Sequence, residues 1–352
     1  MIDVSNIYYI SEKPFQSNHA GSKARIDIDS ILEQNKFNSY ETFNQFIVSS
    51  KLKKCLKIIS FNYLKKIWKL NCLQNKMLIL QYPFYFDKIT NYFFYNALKK
   101  NKVILFLHDM DSLRSLKNIE KEILILNQAE CIILHNDKMI KFLQNNGLKS
   151  KVVNLELFDY LLEKSIPQKS YVLGKNIVFA GNIAKSKFLS SKYISEIGLI
   201  FNLYGPNFEE SGISVNNIVY KGSYKPDVIP YKLEGNFGLI WDGDSIETCK
   251  GKYGNYLKYN NPHKLSLYIA AGLPVITWKQ AAIAKFIEDN KIGFTVDSLY
   301  EISSVIDNLD NRSYQEYIEN IKVLQNKVCN GYFTQRALNE IVDDLNKNEK
   351  SL

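Results

Sequence analysis

Between Phe237 and Trp278 the chain reads Phe237-Gly-Leu-Ile-Trp241, Asp242-Gly-Asp-Ser-Ile246, Asn260-Asn-Pro-His-Lys264, Ala270-Ala-Gly272 and Leu273-Pro-Val-Ile-Thr-Trp278. Two short apolar runs flank a segment of helical composition. Strands covered by helices on both faces read as continuous apolar runs, so the stretch predicts strand, helix and strand of a parallel sheet. Pro262 suits the first helical turn, where the N–H it lacks has no intrahelical partner, and Asn260 or Asn261 suits the cap. Gly272 after two alanines predicts the helix stop. The helix start then offers free backbone N–H groups and a partial positive charge beside Lys264, which together make an anion site.

The same rhythm extends to both sides. Apolar runs at Ile7–Ile10, Met77–Tyr82, Val103–His108, Cys131–His135 and Val152–Leu157 predict one sheet. Asn176–Ala180, Leu199–Tyr204, Ile218–Lys221, Phe237–Trp241, Pro274–Trp278 and Phe294–Val296 predict a second. Ser165 to Lys175, with Pro167 and Gly174 among polar residues, reads as the linker between them. The expected organisation is a first α/β domain over 1–165, a second over 176–312, and a helical tail over 313–352 long enough to reach back to the first. No internal repeat is visible.

Composition agrees with two cores. The chain has 352 residues, 46% of them hydrophobic, and single cores stop growing at roughly 250–300 residues. With 23% charged residues, 16 Gly and 8 Pro, it is neither disordered nor of low complexity. Forty-five Lys and Arg against 36 Asp and Glu give a net charge of +9, which implies an anionic partner: nucleic acid, lipid headgroups or a phosphorylated small molecule. The lysines are spread along the chain and no nucleic-acid-binding motif accompanies them, so nucleic acid is not expected. The five cysteines, Cys55, Cys72, Cys131, Cys249 and Cys329, are odd in number and include no Cys-x-x-Cys pair. That argues against a disulfide framework and a zinc site, and a reducing cytoplasm is expected. The apolar patch Ile7–Ile10 is too short for a signal peptide, and no run approaches the ~18–20 apolar residues of a membrane span. From Lys51 to Leu70, apolar residues at helical spacing alternate with lysines. This reads either as a solvated outer helix or as a basic helix in peripheral contact with the inner membrane face.

Two further junctions suit phosphate. Phe179-Ala-Gly-Asn-Ile-Ala-Lys-Ser186 runs strand, glycine turn, helix, with Gly181, Asn182 and Lys185 at the turn. His19-Ala-Gly-Ser-Lys-Ala24 follows the first strand and offers Gly21 for close backbone approach, with Ser22 and Lys23 as donors. Each alone reads as a tight turn; together, in both domains, they favour a diphosphate in an interdomain crevice. Asp-x-Asp pairs occur at Asp27/Asp29, Asp109/Asp111 and Asp242/Asp244. Such pairs can hold a divalent metal, but three in one chain show how easily the spacing arises. Asp109 lies just after a strand, with His108 before it, where open α/β sheets place ligand contacts. Either residue could serve as a general base, and Asp109 could equally cap the next helix. His135, also at a strand end, reads as structural.

Trp241-Asp-Gly-Asp-Ser-Ile-Glu-Thr-Cys-Lys-Gly251 and Tyr256-Leu-Lys-Tyr-Asn-Asn-Pro-His-Lys-Leu-Ser-Leu-Tyr-Ile-Ala-Ala-Gly-Leu-Pro-Val-Ile276 resemble bacterial beta-1,6-galactofuranosyltransferases of surface-polysaccharide synthesis. They are similar, more distantly, to the streptococcal glucosyltransferases that extend N-acetylglucosamine on serine-rich adhesins. His108-Asp109, Ala180-Gly-Asn182, Tyr224-Lys-Pro-Asp227 and Gly331-Tyr-Phe333 carry the resemblance along nearly the whole chain.

The resemblance implies a GT-B fold, two Rossmann-like doubly wound domains facing across a cleft, with no required metal. It implies a UDP-sugar donor held mainly by the second domain and a saccharide acceptor on a lipid carrier or glycoprotein. Lys264 would contact the diphosphate, Lys185 would stand where the glucosyltransferases carry arginine, Tyr224 would contact the nucleotide, and Ser22 would face the diphosphate from the N-terminal loop. Lysine for arginine at Lys185 exchanges a bidentate fork for a point charge. A homo-oligomer is expected by the same analogy. The expected reaction is hexosyl transfer, with galactofuranose as the sugar. Glucosyl transfer to a glycoprotein and a silent nucleotide-sugar-binding subunit are the alternatives.

Overall fold

A computed structural model describes residues 6–13, 20–44, 61–115, 118–167, 172–191 and 193–349. The first sheet holds β1 (Ile7–Lys13), β2 (Asn38–Asn44), β3 (Met77–Tyr82), β4 (Lys102–Leu107), β5 (Cys131–Leu134) and β6 (Lys151–Asn154), in the order β2-β1-β3-β4-β5-β6. The second holds β7 (Asn176–Ala180), β8 (Ile200–Tyr204), β9 (Ile218–Gly222), β10 (Phe237–Ile240), β11 (Val275–Trp278) and β12 (Gly293–Val296), in the order β12-β11-β10-β7-β8-β9. Every pairing is parallel. The strand order reverses between β1 and β3 in one sheet and between β7 and β10 in the other, which opens a crevice at the carboxyl ends of those strands.

The described α-helices of the first half are α1 (Ala20–Gln34), α2 (Phe61–Cys72), α3 (Lys88–Lys100), α4 (Asp111–Ser115), α5 (Ile119–Leu126) and α6 (Asp137–Asn145). Those of the second are α7 (Ile229–Lys232), α8 (Gly251–Tyr256), α9 (His263–Ala270), α10 (Ala284–Asp289), α11 (Glu301–Asp307), α12 (Asn311–Cys329) and α13 (Tyr332–Glu349). None is long and apolar enough to cross a membrane. Alternate strand residues serve opposite faces of the first sheet. Ile79, Ile104, Phe106 and Ile133 pack with α1 in a core continuous with the second domain, whereas Leu78, Leu80, Leu105 and Ile132 pack under α2 and α3.

Three expectations change. The apolar-run reading misses β2, an edge strand whose Asn-Ser-Tyr-Glu-Thr-Phe-Asn composition buries Phe43 and leaves polar side chains facing water. β6 stops at Asn154, and Leu155 and Leu157 are instead buried in the segment that leaves the sheet. The tail is two helices, because Gly331 turns the chain at φ 77° and packs so close to α1 that a Cβ there would lie 2.8 Å from Ile31. That break returns α13 to the first domain, where Arg336 donates to Asn154 O and Leu155 O and the Phe333 and Thr334 N–H groups donate to Asp159. Of the expected Lys51–Leu70 helix, 61–70 is helical and 51–60 lies outside the described residues, as do 168–171 of the expected linker.

α9 is fixed by its own sequence. Gly272 at φ 77° closes it, with Gly272 N–H donating to Ile269 O at 3.0 Å and Leu273 N–H to Tyr268 O at 2.9 Å. Tyr268 lies across β10 and links it to β7, its hydroxyl donating to Leu239 O at 3.1 Å and accepting from Ala180 N–H at 2.9 Å. Gly238 makes room: a Cβ there would sit 2.3 Å from the tyrosine ring. Gly238→Ala should therefore destabilise the protein by about 1–3 kcal/mol through overpacking, read as a lowered urea midpoint. An unchanged midpoint would show that Tyr268 has space to yield.

Candidate active site

The second-domain half of the site lies at the β7/β10 reversal. Gly181 follows β7, Asp242 follows β10, and Lys264 projects from the first turn of α9. Lys264 Nζ is 2.9 Å from Asp242 Oδ1 and 4.6 Å from the centre of the Phe179 ring. A Cβ on Gly181 would lie 3.2 Å from Lys264 Cε, so glycine there leaves the lysine its path. The helix expected after Gly181 is a short 3-10 turn, Ile183–Lys185. The chain is held there against the loop after β8: Gly181 N–H donates to Tyr204 O, Ile183 N–H to Pro206 O, and a Cβ on Gly205 would fall 1.8 Å from Gly181 O. Asn182 opens this turn with no side-chain capping bond, and its buried Oδ1 finds no partner among the described residues. Lys185 is exposed, 6.0 Å from the Tyr253 ring. Tyr224, beyond β9, is at the surface and donates to Lys221 O at 3.0 Å.

Asn261 has a different position from the one expected. The cap of α9 is Pro262, without a side-chain bond, and Asn261 is buried between the domains. Its N–H donates to His135 Nδ1 at 3.0 Å, its Nδ2 donates to His135 O and Glu156 O at 2.7 Å each, and its Oδ1 accepts from Asn136 Nδ2 at 2.7 Å. Since His135 Nε2 donates to Leu107 O at 3.1 Å, the tautomer that leaves Nδ1 free to accept is set from β4. His263, the first residue of α9, stacks on Tyr160 at 5.1 Å, and burial brings its pKa down to about 4, so the ring is neutral.

The first-domain half sits at the carboxyl ends of β3 and β4. His108 Nε2 lies 2.6 Å from Gln81 Oε1. The Gln81 amide donates to Asp29 Oδ1 at 2.7 Å and Arg25 O at 3.1 Å, so its oxygen must face the imidazole and His108 must carry its proton on Nε2. Burial, reinforced by the Arg25 charge, holds the His108 pKa far below its ordinary value. Asp109 accepts from Arg114 Nη1 at 3.1 Å and from the Tyr256 hydroxyl of the second domain at 3.2 Å. That hydroxyl accepts in turn from Met110 N–H at 3.1 Å. Burial raises the Asp109 pKa, and Arg114 and Tyr256 offset part of the rise.

Gly21 and Ser22 lie in the first turn of α1, not in a loop, and Ser22 is buried. Lys23 is committed elsewhere than to a phosphate: its ammonium lies 2.7 Å from Asp27, 2.9 Å from Asp227 of the second domain and 2.8 Å from Leu161 O. Burial opposes the charge, but the two carboxylates outweigh it and raise the Lys23 pKa. Among the described residues no group of three or more His, Cys, Asp or Glu is placed to hold a metal. Gln81 and Tyr256, the partners of His108 and Asp109 in the candidate site, are residues that pattern reading missed. Gln81 left one signal, as the polar residue in an otherwise apolar strand.

Two Rossmann-like domains, each built on a parallel six-stranded sheet and facing each other across a crevice, are the architecture of the GT-B fold. The solved sucrose-phosphate synthase of Thermosynechococcus elongatus shares this fold, with a TM-score of 0.63 at 11% identity over 97% of this chain and 99% of that one. The chain belongs to the glucosyltransferase 3-like family, whose N-terminal domain matches residues 5–157 and whose C-terminal domain matches residues 177–341. It is 33% identical to the Escherichia coli beta-1,6-galactofuranosyltransferase WbbI, over 96% of this chain and 99% of that protein. It is 27% identical to glucosyltransferase 3 of Streptococcus gordonii, over 68% of this chain and 71% of that protein.

Asn261 and Lys264 should separate in their effects. Asn261→Leu takes the Asn261 donor from the His135 and Glu156 carbonyls and leaves the Asn136 amide only its bond to Tyr259 O, and should cost at least about 2 kcal/mol in urea unfolding. Lys264→Ala opens no such buried group and should cost no more than about 1 kcal/mol. Equal losses would contradict the division between a pin and a ligand contact.

Proposed function

We propose that the protein transfers galactofuranose from UDP-galactofuranose to a saccharide hydroxyl, with inversion at the anomeric carbon. The carrying observation is the convergence of Lys264, Gly181, Asn182 and the α9 start at the β7/β10 reversal, in a chain related along its length to a named galactofuranosyltransferase. The diphosphate takes Lys264 from Asp242 and meets the free N–H groups of α9. Lys185 and Tyr224 border the same edge of the second domain and serve the diphosphate and nucleotide; Gly21 and Ser22 close the donor site from α1. The acceptor, carried on a lipid or a glycoprotein, occupies the first-domain side.

In the reaction the acceptor oxygen bonds to the anomeric carbon as the bond from that carbon to the diphosphate breaks. The bonding pair leaves with UDP, where Lys264 and the helix start stabilise the growing negative charge. The acceptor proton passes to the Asp109 carboxylate, with the neutral His108 beside it positioned by Gln81. A glucosyl transfer to N-acetylglucosamine on a glycoprotein is the second reading, favoured by the likeness to the streptococcal enzyme.

Three outcomes test this. Lys264→Ala should weaken UDP binding about 10- to 100-fold, the equivalent of one charge-assisted contact; unchanged affinity in calorimetry would remove Lys264 from the site. Asp109→Asn should lower transfer at least about 100-fold while leaving UDP affinity intact, and equal turnover would exclude Asp109 as the base. The active form of Asp109 is the carboxylate, and its pKa is raised, so the acid limb of kcat/KM should lie above the ordinary aspartate value of about 3.9. Arg114 lowers that pKa, so Arg114→Gln should move the limb to higher pH; a limb that stays in place would detach it from Asp109.

A further inference from the structure

The outer face of α2 and α3 carries none of the candidate site residues. On α2, Phe61, Leu64 and Trp68 are spaced i, i+3 and i+7 and are 80%, 50% and 65% exposed, while Ile67 and Leu70 on the opposite side are buried against the sheet. On α3, Ile89 and Tyr92 are 47% and 61% exposed, while Phe94, Ala97 and Leu98 are buried in the same core. The helices run side by side in one direction: Tyr63 near the start of α2 donates to Asp87 at the start of α3 at 2.9 Å, and Lys100 at the end of α3 donates to Asn71 O at 3.2 Å. Their exposed residues therefore form one surface.

That surface is basic as well as apolar. α2 carries Lys65, Lys66 and Lys69, α3 carries Lys88, Lys99 and Lys100, and neither helix contains Asp or Glu. Glu41 of β2 pairs with Lys66 and Lys69, and Lys65, Lys88 and Lys99 have no acidic partner among the described residues. A second copy applied to this face would set lysines against lysines. An anionic lipid surface accommodates both features. Apolar and aromatic side chains enter the boundary between headgroups and acyl chains, and lysine stems lie along it with their ammonium groups at the phosphates.

We propose that the outer face of α2 and α3 docks on an anionic lipid surface, with Phe61, Leu64 and Trp68 entering it. The chain between β3 and α3 starts beside His108 and ends at Asp87, so docking sets the acceptor side of the cleft close to that surface. The inference stands apart from donor identity and chemistry, and its test does not use turnover.

Of the three tryptophans, Trp241 and Trp278 are buried, so Trp68 is the one that can report insertion. The full chain should sediment with vesicles of phosphatidylcholine containing one-third phosphatidylglycerol, with a blue shift in tryptophan emission, and much less with phosphatidylcholine alone or in high salt. Phe61→Ser/Leu64→Ser, which retains Trp68, should weaken that association at least about tenfold and leave UDP affinity unchanged. Failure of the wild type to bind anionic vesicles at low salt, or equal binding by the double variant, would overturn the proposal. So would a wild-type dimer that the double variant makes monomeric without any vesicle binding, which would assign the face to a second copy.

Discussion

The fold of the second domain depends on a tyrosine laid across a glycine. Tyr268 occupies the space a side chain at Gly238 would fill, and its hydroxyl bonds to the backbones of both β7 and β10. These are the strands between which the order of the sheet reverses. A helix held across that reversal has one place to begin. The start of α9, with Lys264 in its first turn, is thereby directed into the crevice where the loops after β7 and β10 meet, and there Lys264 reaches Asp242 at 2.9 Å.

The same helix joins the domains. Asn261 uses all of its side-chain polar atoms and its own N–H on the first domain. Ser266, one turn further on, donates to Phe158 O at 2.6 Å. Lys23 adds an ion pair to Asp227, and Tyr160 donates to Pro226 O at 2.6 Å. Tyr256 completes the link at the site itself, since one hydroxyl from the second domain bonds Asp109 and Met110 of the first. The candidate base is thus set by both domains, and a change in their apposition would alter its hydrogen bonding directly.

The repeat of apolar runs made both sheets legible, because burial on two faces leaves a continuous apolar signature. It hid β2, whose outward face is polar. The meeting of Lys264 and Gly181 at one strand reversal was legible, because local spacing and local structure coincide there. Asn261 and Lys23 were misjudged for one reason: a polar residue beside a glycine or a helix start carries the same signature whether its partner is a phosphate or the other domain. Only the fold shows that Asn261 meets His135 and that Lys23 meets Asp227. The relation of Gln81 to His108 and of Tyr256 to Asp109 spans 27 and 147 residues, beyond any local pattern. Serine, glycine and lysine at the start of α1 suggested a loop, although they lie in a helical turn.

In the proposed reaction one cleft binds a nucleotide sugar on its lysine-bearing side and delivers the sugar to an acceptor on its aspartate-bearing side. Mass spectrometry of products formed with UDP-galactofuranose, UDP-galactose and UDP-glucose, offered in parallel to lipid-linked and N-acetylglucosaminyl acceptors, tests this most directly. The expected result is a hexosyl adduct with UDP-galactofuranose, absent in Asp109→Asn. Binding of UDP with no adduct from any donor would contradict it and leave the protein a nucleotide-sugar-binding subunit.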